Sequence, residues 1–340
     1  MNIERWDPQT ASDDELREVH AFGEPLALEL DPETPPEPFE LWRREVLQTS
    51  SFAEEKRWLA RDTGGVIVGG AFLSLDRSGN NAHRANFDIE VAASQRRRGL
   101  GRALLAPVLD AAANDGRTTL TAGAPQGSVG EKFLAAVGTT HAFLDRRSRL
   151  RVAAVDEARL DGWIADAKSK AADYSLVFFD GPVPDEYLDA VMKVHEAMND
   201  APREGLDLED EHDTREHFRD REARLFARGS RRIQLVARHD PTGELAGFTT
   251  ISWHPLLPQM AWQWGTAVTR EHRGHAIGRW IKAVNYRNLR ELNPKAEFVD
   301  TWNAGSNQWM LAINDEMGFT PYIWYHAYQG STESIRKAIA

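Results

Sequence analysis

The stretch FDIEVAASQRRRGLGRALLAPVLDAA, residues 87–112, decides the fold of this chain. Its first residues alternate apolar and polar side chains up to Val91, which is typical of a half-buried β-strand. Arg96, Gly99 and Gly101 follow, and apolar residues then recur at helical spacing. The stretch therefore predicts a strand, a tight turn and a helix in succession.

A second stretch, WGTAVTREHRGHAIGRWIKAVNYRNL at residues 264–289, repeats this order. Val268 ends its strand-like pattern, and Arg273 follows after four residues, as in the first stretch. Each half then continues with a strand-like run and a short helical run, which ends at Gly138 in the first half and at Gly318 in the second. The separation between these two glycines is nearly the same as that between Arg96 and Arg273. Repetition with a nearly constant offset predicts a duplicated domain.

Antiparallel hairpins are predicted upstream of both stretches, because strand-like runs there flank short turn sequences. The hairpin strands are residues 56–61 and 65–73 in the first half and residues 232–238 and 244–252 in the second. One more strand is predicted downstream of each stretch, at residues 117–122 and 297–302. Helical patterns occur at residues 13–20, 39–47, 184–198 and 214–227. Each half is therefore expected to form a mixed α/β sheet.

The chain length of 340 residues suits two domains of ordinary size. The segment around residues 153–173 is polar, has a helical apolar period and contains little proline or serine, so it predicts a connecting helix. The predicted domains are residues 1–155 and 174–340, joined by residues 156–173.

Composition excludes several classes of function. A net charge of -11 argues against binding to nucleic acid or to an anionic membrane surface. It suits a cationic acceptor, although acidic composition also serves solubility. The chain has no cysteine, which excludes a thiolate nucleophile and thiolate metal ligands. Its histidines are scattered, so no metal site is predicted, and no apolar run suggests a leader or a membrane span, so a cytoplasmic location is expected.

The turn before each helix has the features of a phosphate-binding site. The first amides of a helix lack partners within the helix, and its dipole favours negative charge there. Glycine at positions 99 and 101 would let a phosphate approach the backbone closely. The turns match neither the three-glycine dinucleotide fingerprint nor the Walker A loop.

The turn sequences resemble the signature of the GNAT superfamily of N-acetyltransferases, which is Gln/Arg-x-x-Gly-x-Gly/Ala after a strand that ends in valine. Residues 96–101 match it fully, and residues 273–278 resemble it with Ala276 at a usual glycine position. Family members often continue with an asparagine and a tyrosine on the next helix and end it with Gly-Phe. The second half has Asn307 and Gly318, with Asn314 at the tyrosine position, and the first half lacks both the asparagine and the tyrosine.

This resemblance implies two tandem GNAT-like domains, each a mostly antiparallel sheet whose central parallel strand pair is splayed around acetyl-CoA. It also implies direct acetyl transfer to a primary amine, with the oxyanion stabilised by a backbone amide near a bulge in the valine-ending strand. The coenzyme-binding residues it implies are Val91, Arg96, Arg97, Arg98, Gly99, Leu100, Gly101, Arg102, Val268, Arg273, Gly274, His275, Ala276, Ile277, Gly278, Asn303, Asn307 and Asn314.

Three residues are candidates for proton transfer. Asp88 and Glu90 lie on one face of the valine-ending strand and are candidate bases, the alternative being a solvated face or a salt bridge. Tyr322 is the candidate catalytic tyrosine, the alternative being an aromatic core residue. All six tyrosines lie at or after Tyr174, and the second half is favoured as the active one because it keeps Asn307.

Two other features leave alternatives open. The acidic run at residues 204–213 is interpreted either as a mobile solvated loop or as a surface that attracts a cationic amine. The tryptophans of the second half either pack in its core or line an apolar acceptor site. The expected protein is a monomer or homodimer that acts on a small-molecule amine, and the alternative function is a non-catalytic acyl-CoA-binding sensor or scaffold.

Overall fold

A computed structural model describes residues Asn2–Ala340 and divides the chain into two compact units. Unit 1 contains the chain up to Leu144 together with residues 203–209 and 324–340, and unit 2 contains residues 145–202 and 210–323. Neither unit is contiguous in sequence, whereas the predicted domains, residues 1–155 and 174–340, are.

The elements alternate along the chain in a similar order in the two units. Those of unit 1 are β1 (Asn2–Trp6), α1 (Asp13–Leu30), α2 (Phe39–Val46), β2 (Ala53–Arg61), β3 (Ile67–Asp76), β4 (Arg84–Val91), α3 (Leu100–Asn114), β5 (Thr119–Pro125), α4 (Val129–Ala136) and the start of β6 (Thr140–Arg151). Those of unit 2 are the rest of β6, α5 (Glu157–Lys170), β7 (Tyr174–Asp180), α6 (Asp185–His195), α7 (Arg215–Ala227), β8 (Arg231–His239), β9 (Leu245–His254), β10 (Leu257–Val268), α8 (Ile277–Leu292), β11 (Phe298–Ala304), α9 (Gln308–Met317) and the start of β12 (Thr320–Ser331). The rest of β12 and α10 (Thr332–Ile339) return to unit 1.

Each unit contains a mostly antiparallel sheet with one parallel strand pair at its centre. The strand order is β1-β2-β3-β4-β5-β12 in unit 1, where β4 and β5 are parallel. The order is β6-β11-β10-β9-β8-β7 in unit 2, where β10 and β11 are parallel. The predicted fold class is therefore confirmed.

The last strand of each sheet comes from the other half of the sequence. Residues 325–331 of β12 pair with residues 119–125 of β5 in unit 1. Residues 145–151 of β6 pair with residues 298–304 of β11 in unit 2. The contiguous domain ranges miss this exchange, because a period-two pattern identifies a strand but not the strand that it pairs with.

The core of each unit forms between its sheet and the helix that follows the signature turn. In unit 1, Leu104 and Val108 of α3 and Ile335 of α10 are completely buried. In unit 2, α8 packs against α5, whose Leu160 and Trp163 join the core. Helix α5 occupies most of the range 156–173 that was expected to form a connecting helix, and it contributes to the core of unit 2.

The acidic run at residues 204–213 is held by specific contacts in its first part, which belongs to unit 1. Gly205 donates its amide hydrogen to the Ala142 carbonyl at 2.9 Å, and Asp207 Oδ2 lies 3.0 Å from His83 Nε2. The Gln329 side chain bonds to the backbone of both Gly205 and Asp207. These contacts argue against the interpretation of a freely solvated loop.

No helix among residues 2–340 is long and apolar enough to cross a membrane. The same residues contain no group of three or more histidine, aspartate or glutamate side chains that could hold a metal ion.

Replacing Ile335 with alanine should destabilise unit 1 specifically. The side chain is fully buried against α3, so its truncation leaves a cavity that costs about 2–4 kcal/mol of unfolding free energy. Hydrogen exchange should therefore accelerate at residues 119–125 and remain slow at residues 298–304. Lys337→Ala, at an exposed position of the same helix, is the matched control. Equal acceleration in the two strands would contradict the assignment of α10 to unit 1.

Candidate active site

The two signature turns have the same backbone geometry. In each, the valine that ends the strand is followed by a short 3₁₀ turn and then by the helix. Arg96 donates its Nε hydrogen to the Val91 carbonyl at 3.0 Å, and Arg273 donates to the Val268 carbonyl at the same distance. The signature arginine thus fastens the turn to the end of the strand in both units.

Each turn contains two residues in the left-handed backbone region. In unit 1 these are Arg97, with φ of 64°, and Gly99, with φ of 85°. In unit 2 they are Gly274, with φ of 89°, and Ala276, with φ of 62°. A side chain in this region costs roughly 1–2 kcal/mol, so each turn has one relaxed and one strained position. The substitution at Ala276 therefore keeps the conformation of the loop.

The turns present a suitable cradle for a diphosphate. A Cβ added at Gly99 would meet no atom within 4 Å, so the space in front of α3 is open. Among the described residues, no side chain caps the first amides of α3 or α8. These amides and the helix dipole therefore remain available to an anion. Gly101 has a different role, because a Cβ there would lie 3.0 Å from the ring of Phe133.

Carboxylates occupy the signature arginines, so these guanidinium groups are not free phosphate ligands. Arg96 forms a two-point ion pair with Glu29, with both bonds at 2.7 Å. Arg273 pairs with Asp200, whose pKa falls to about 2 because Arg270 and Arg273 donate hydrogen bonds to it. Other cations must therefore supply the charge at the rim.

The remaining predicted rim residues differ between the units. In unit 1, Arg97, Arg98 and Arg102 are exposed around the start of α3. In unit 2, His275 bonds through Nδ1 to the Lys170 carbonyl at 3.1 Å. Unit 1 therefore offers more positive charge to a diphosphate.

The parallel strands separate beyond a short paired segment in each unit. Strands β4 and β5 pair only over residues 84–86 and 119–121. Strands β10 and β11 pair over residues 260–263 and 298–301. Because the strands continue beyond these segments, each pair leaves an opening in the sheet next to its signature turn.

A β-bulge distinguishes unit 2 from unit 1. The register between β10 and β9 shifts between Gln263 and Thr266, whereas β4 pairs with β3 without interruption. The Gln263 side chain fills the bulge and donates to the carbonyls of Thr250 and Trp264. The bulge expected in both valine-ending strands is thus present in β10 and absent from β4, whose residues are all described.

Two acidic side chains project from β4 of unit 1 on the face opposite α3. Burial raises the pKa of Glu90 to about 7, and the charge of Asp88 adds to this effect. Burial also raises the pKa of Asp88 itself. Both residues are nevertheless exposed at the surface, so solvent reaches them. The predicted placement of the pair on one strand face agrees with this arrangement.

Tyr325 lies on the same face of unit 1. Its hydroxyl donates to the Gly123 carbonyl at 3.0 Å, and a Cβ on Gly123 would come within 2.2 Å of its ring. Burial, helped by the charge of Asp88, raises the pKa of Tyr325 to about 12, so the hydroxyl stays protonated. The sequence suggests that Tyr325 could reach the cleft of the second half, but β12 carries it into the sheet of unit 1.

Tyr322, the tyrosine predicted to be catalytic, lies in unit 2 within a cluster of charged and aromatic side chains. The guanidinium of Arg149 stacks 3.9 Å from the centre of its ring. Arg147 and Arg149 both donate to Asp300, which is completely buried. The ring of Tyr322 therefore packs against a buried ion-pair network.

The predicted asparagines of unit 2 bond to neighbouring protein groups. Asn307 caps α9 by accepting from the Met310 amide at 3.2 Å. Asn314 is completely buried, donates to Asn303 Oδ1 at 2.6 Å and accepts from Lys282 Nζ at 2.7 Å. Asn314 thus links the predicted coenzyme residue Asn303 to a lysine on α8.

Lys282 is a buried amine that sequence reasoning missed. It is 1% exposed, and burial lowers its pKa to about 7. Its position between Ile281 and Ala283, on the buried face of α8, is the one sequence signal that could have identified it.

The comparisons with known proteins agree with this geometry. Residues 22–128, which lie in unit 1, match the model of the Acetyltransferase (GNAT) family. The chain is also similar to the solved structure of a tandem GNAT protein from the clavulanic acid biosynthesis pathway. The two share 28% identity with a TM-score of 0.78, over 97% of this chain and 98% of that chain.

More distant structures share the fold alone. A GCN5-related N-acetyltransferase from Sphaerobacter thermophilus is 13% identical with a TM-score of 0.67, over 97% of this chain and 95% of that chain. N-myristoyltransferase from Saccharomyces cerevisiae is 10% identical with a TM-score of 0.58, over 97% and 79% of the two chains. No curated protein matches the chain in sequence.

Calorimetric titration of acetyl-CoA into the full chain should reveal two binding events, because both turns have the same backbone. Gly99→Glu and Ala276→Glu should each abolish one event, since each puts a negative side chain where a diphosphate would lie. Gly99→Gln and Ala276→Gln are matched controls for bulk and should retain more affinity. Unchanged binding in either glutamate variant would exclude that turn as a coenzyme site.

Unfolding in urea between pH 7 and pH 10 should reveal the buried amine of Lys282. Its folded pKa is about 7, and an unfolded lysine has a pKa of about 10.4. In this range the unfolded chain binds a proton that the folded chain does not, so stability rises with pH. The wild type should gain stability relative to Lys282→Met by at most roughly 1.4 kcal/mol per pH unit. Parallel curves of unfolding free energy against pH for the wild type and Lys282→Met would contradict this prediction. Lys295→Met, at an exposed site, is the control.

Proposed function

Because the chain is a tandem GNAT protein, we propose that it is an acetyl-CoA-dependent N-acetyltransferase whose catalytic residues lie in unit 1. The proposed acceptor is a primary amine of a small molecule. The similarity to a protein from the pathway of a small molecule, clavulanic acid, supports this acceptor class. The proposal thus has two parts: the reaction is N-acetylation, and unit 1 performs it.

One observation carries this assignment, namely the solvent-exposed position of the Glu90 carboxyl on β4, where the surrounding protein and the charge of Asp88 raise its pKa to about 7. A general base works best when its pKa lies near the working pH. Glu90 precedes Val91 on β4, the strand that leads into the fully matching signature turn. A base at this position lies beside the opening between β4 and β5.

Unit 2 offers no equivalent base on its valine-ending strand. Gly265 and Ala267 stand where unit 1 has Asp88 and Glu90. The imidazole of His195, which lies nearby on α6, has its pKa lowered to about 3, first by burial and then by the positive charges of Arg221 and Arg232. An imidazole with so low a pKa is a weak base.

The division of roles in unit 1 follows from these positions. Acetyl-CoA would lie in the opening between β4 and β5 with its diphosphate at the start of α3, and it supplies the acetyl thioester. Ionised Glu90 accepts the proton that the acceptor amine loses, and Asp88 increases the basicity of Glu90 through its charge. Because the chain has no cysteine, transfer through an enzyme thioester is excluded. In the proposed direct transfer the amine nitrogen would bond to the acetyl carbon, the thioester C–S bond would break, and coenzyme A would leave as its thiol.

The side chains around Asp88 and Glu90 in unit 1 favour Tyr325 over Tyr322 as the tyrosine of the proposed site. Tyr325 shares the face of Asp88 and Glu90 and stays protonated, whereas Tyr322 packs on Arg149 in unit 2. We therefore place Tyr325, and not Tyr322, beside the reacting groups.

The proposal is tested by incubating the protein with acetyl-CoA and a panel of primary amines. Acetyl transfer is measured from the free thiol that is released. The pH profile of kcat/KM should have an acid limb near pH 7, because Glu90 must lose its proton to act. Asp88→Asn should move this limb to lower pH, since it removes a negative charge beside Glu90. Glu90→Gln should reduce kcat about 10²–10⁴-fold.

Glu55→Gln, on the exposed part of β2, is the matched control and should leave the pH profile unchanged. Binding of acetyl-CoA without turnover of any amine would replace the proposal with a non-catalytic acyl-CoA sensor. Full activity of Glu90→Gln would exclude Glu90 as the base.

A further inference from the structure

Helix α1 of unit 1 consists of two parts that are held differently. The first part packs on the sheet, where Leu16 is 2% exposed and Phe22 joins the same apolar cluster. In the second part, Leu28 and Leu30 are 43% and 48% exposed. Pro25 lies between the two parts and has no backbone N–H to donate to the preceding turn of the helix. The backbone ladder of α1 is therefore interrupted where the second part begins.

The second part of α1 ends in an ion pair. Glu29 lies in the last turn, which contains no basic residue. The negative end of the helix dipole disfavours a carboxylate at that position. Both oxygens of Glu29 accept hydrogen bonds from Arg96, at 2.7 Å each, and these bonds lower the pKa of Glu29. The pair of Glu29 and Arg96, called the tether below, thus compensates for an unfavourable placement and holds the end of α1 to the signature turn.

The first part of α1 reaches the proposed base. A Cβ on Gly70 would lie 3.9 Å from a ring carbon of Phe22 and 3.9 Å from Oε2 of Glu90. The ring and the carboxylate are therefore neighbours across the space that Gly70 leaves. Residues 23–28 connect Phe22, beside the base, to Glu29, on the turn. This segment therefore runs alongside the end of β4.

Unit 2 has a tether of its own with a different carboxylate. Asp200 ends the 3₁₀ turn that follows α6, and it accepts from both Arg270 and Arg273. Arg270 precedes the signature arginine by three residues, and unit 1 has Ala93 at that position. One arginine therefore holds the tether of unit 1, whereas two hold that of unit 2. The end of the helix in unit 1 is thus the more easily released of the two.

We propose that Glu29 is a positioning residue for the reaction assigned to unit 1, so this inference rests on the proposed function. Through Arg96 it holds residues 24–30 beside Glu90, where they form one wall of the space for the acceptor amine. The coenzyme contacts neither Glu29 nor this wall. The signature arginine of unit 1 then serves the acceptor through Glu29, and the diphosphate is left to the backbone amides of the turn.

The absence of cysteine allows a single spin label to follow this segment. The label is attached at Leu28→Cys in the full chain, and its EPR line shape reports how mobile residues 24–30 are. Glu29→Gln keeps the shape of the side chain and removes its charge. The ratio of mobile to immobile label should then rise about three- to fivefold, as expected for the loss of one exposed ion pair. Glu24→Gln is the matched control, because Glu24 is exposed on the same helix and is not the partner of Arg96.

The kinetic effect should fall on the acceptor. Without the label, Glu29→Gln should raise KM for the amine about three- to fivefold and leave kcat and the Kd of acetyl-CoA unchanged. Glu29→Asp keeps the charge and should have a smaller effect than Glu29→Gln. Asp200→Asn breaks the tether of unit 2 and should leave KM for the amine at the wild-type value, since Glu90 lies in unit 1.

The proposal is overturned if Glu29→Gln leaves the label as immobile as in the wild type, or if Glu24→Gln mobilises it equally. It is also overturned if Glu29→Gln weakens acetyl-CoA binding as much as it raises KM for the amine, because the tether would then only support the turn. If the wild type acetylates no amine, the proposed function fails, and with it the role of Glu29 toward an acceptor. The spin label still decides in that case whether the tether holds α1, so the two failures are distinguishable.

Discussion

The structure depends on the separation of two parallel strands at the centre of each sheet. Where β4 leaves β5, and where β10 leaves β11, the backbone groups that would form the ladder lose their neighbours. Such groups need partners inside a protein, because an unpaired N–H or C=O group is costly there. An extended ligand with its own amides can occupy such an opening and restore the missing bonds. The signature turn lies beside it and can hold the anionic end of the same molecule.

The two units satisfy this constraint with different side chains. In unit 2 the bulge in β10 is filled by the amide of Gln263, which donates to the carbonyls of Thr250 and Trp264. Unit 1 keeps a regular strand and places ionisable groups along it, so that Asp88 and Glu90 remain where the opening begins. The duplicated backbone thus presents two carboxylates beside the opening in one unit and a bulge filled by glutamine in the other.

The extent to which the sequence predicts this arrangement follows from the range of each interaction. The turns around Gly99 and Ala276 were predictable because their backbone is determined within a few residues, and the shared face of Asp88 and Glu90 follows from strand alternation alone. The raised pKa of Glu90 was not predictable, since it depends on protein atoms that are distant in sequence. Tyr322 and Tyr325 show the same limit, because β12 passes from unit 2 to unit 1 between them. The buried ammonium of Lys282 was missed because helical periodicity tolerates one lysine on an apolar face.

The exchange of strands has a consequence for how the protein is made. Residues up to Leu144 leave the ribosome before unit 2 does, but the strand that completes their sheet is synthesised only after the unit 2 residues. During that interval the outer edge of β5 is unpaired, and exposed strand edges are sites where chains associate wrongly. Unit 2 can complete its own sheet sooner, because residues 145–151 are already present when β11 emerges. The sheet of unit 1 is therefore completed after that of unit 2, and a chain that stops before Trp324 loses a strand of unit 1 and none of the residues of unit 2.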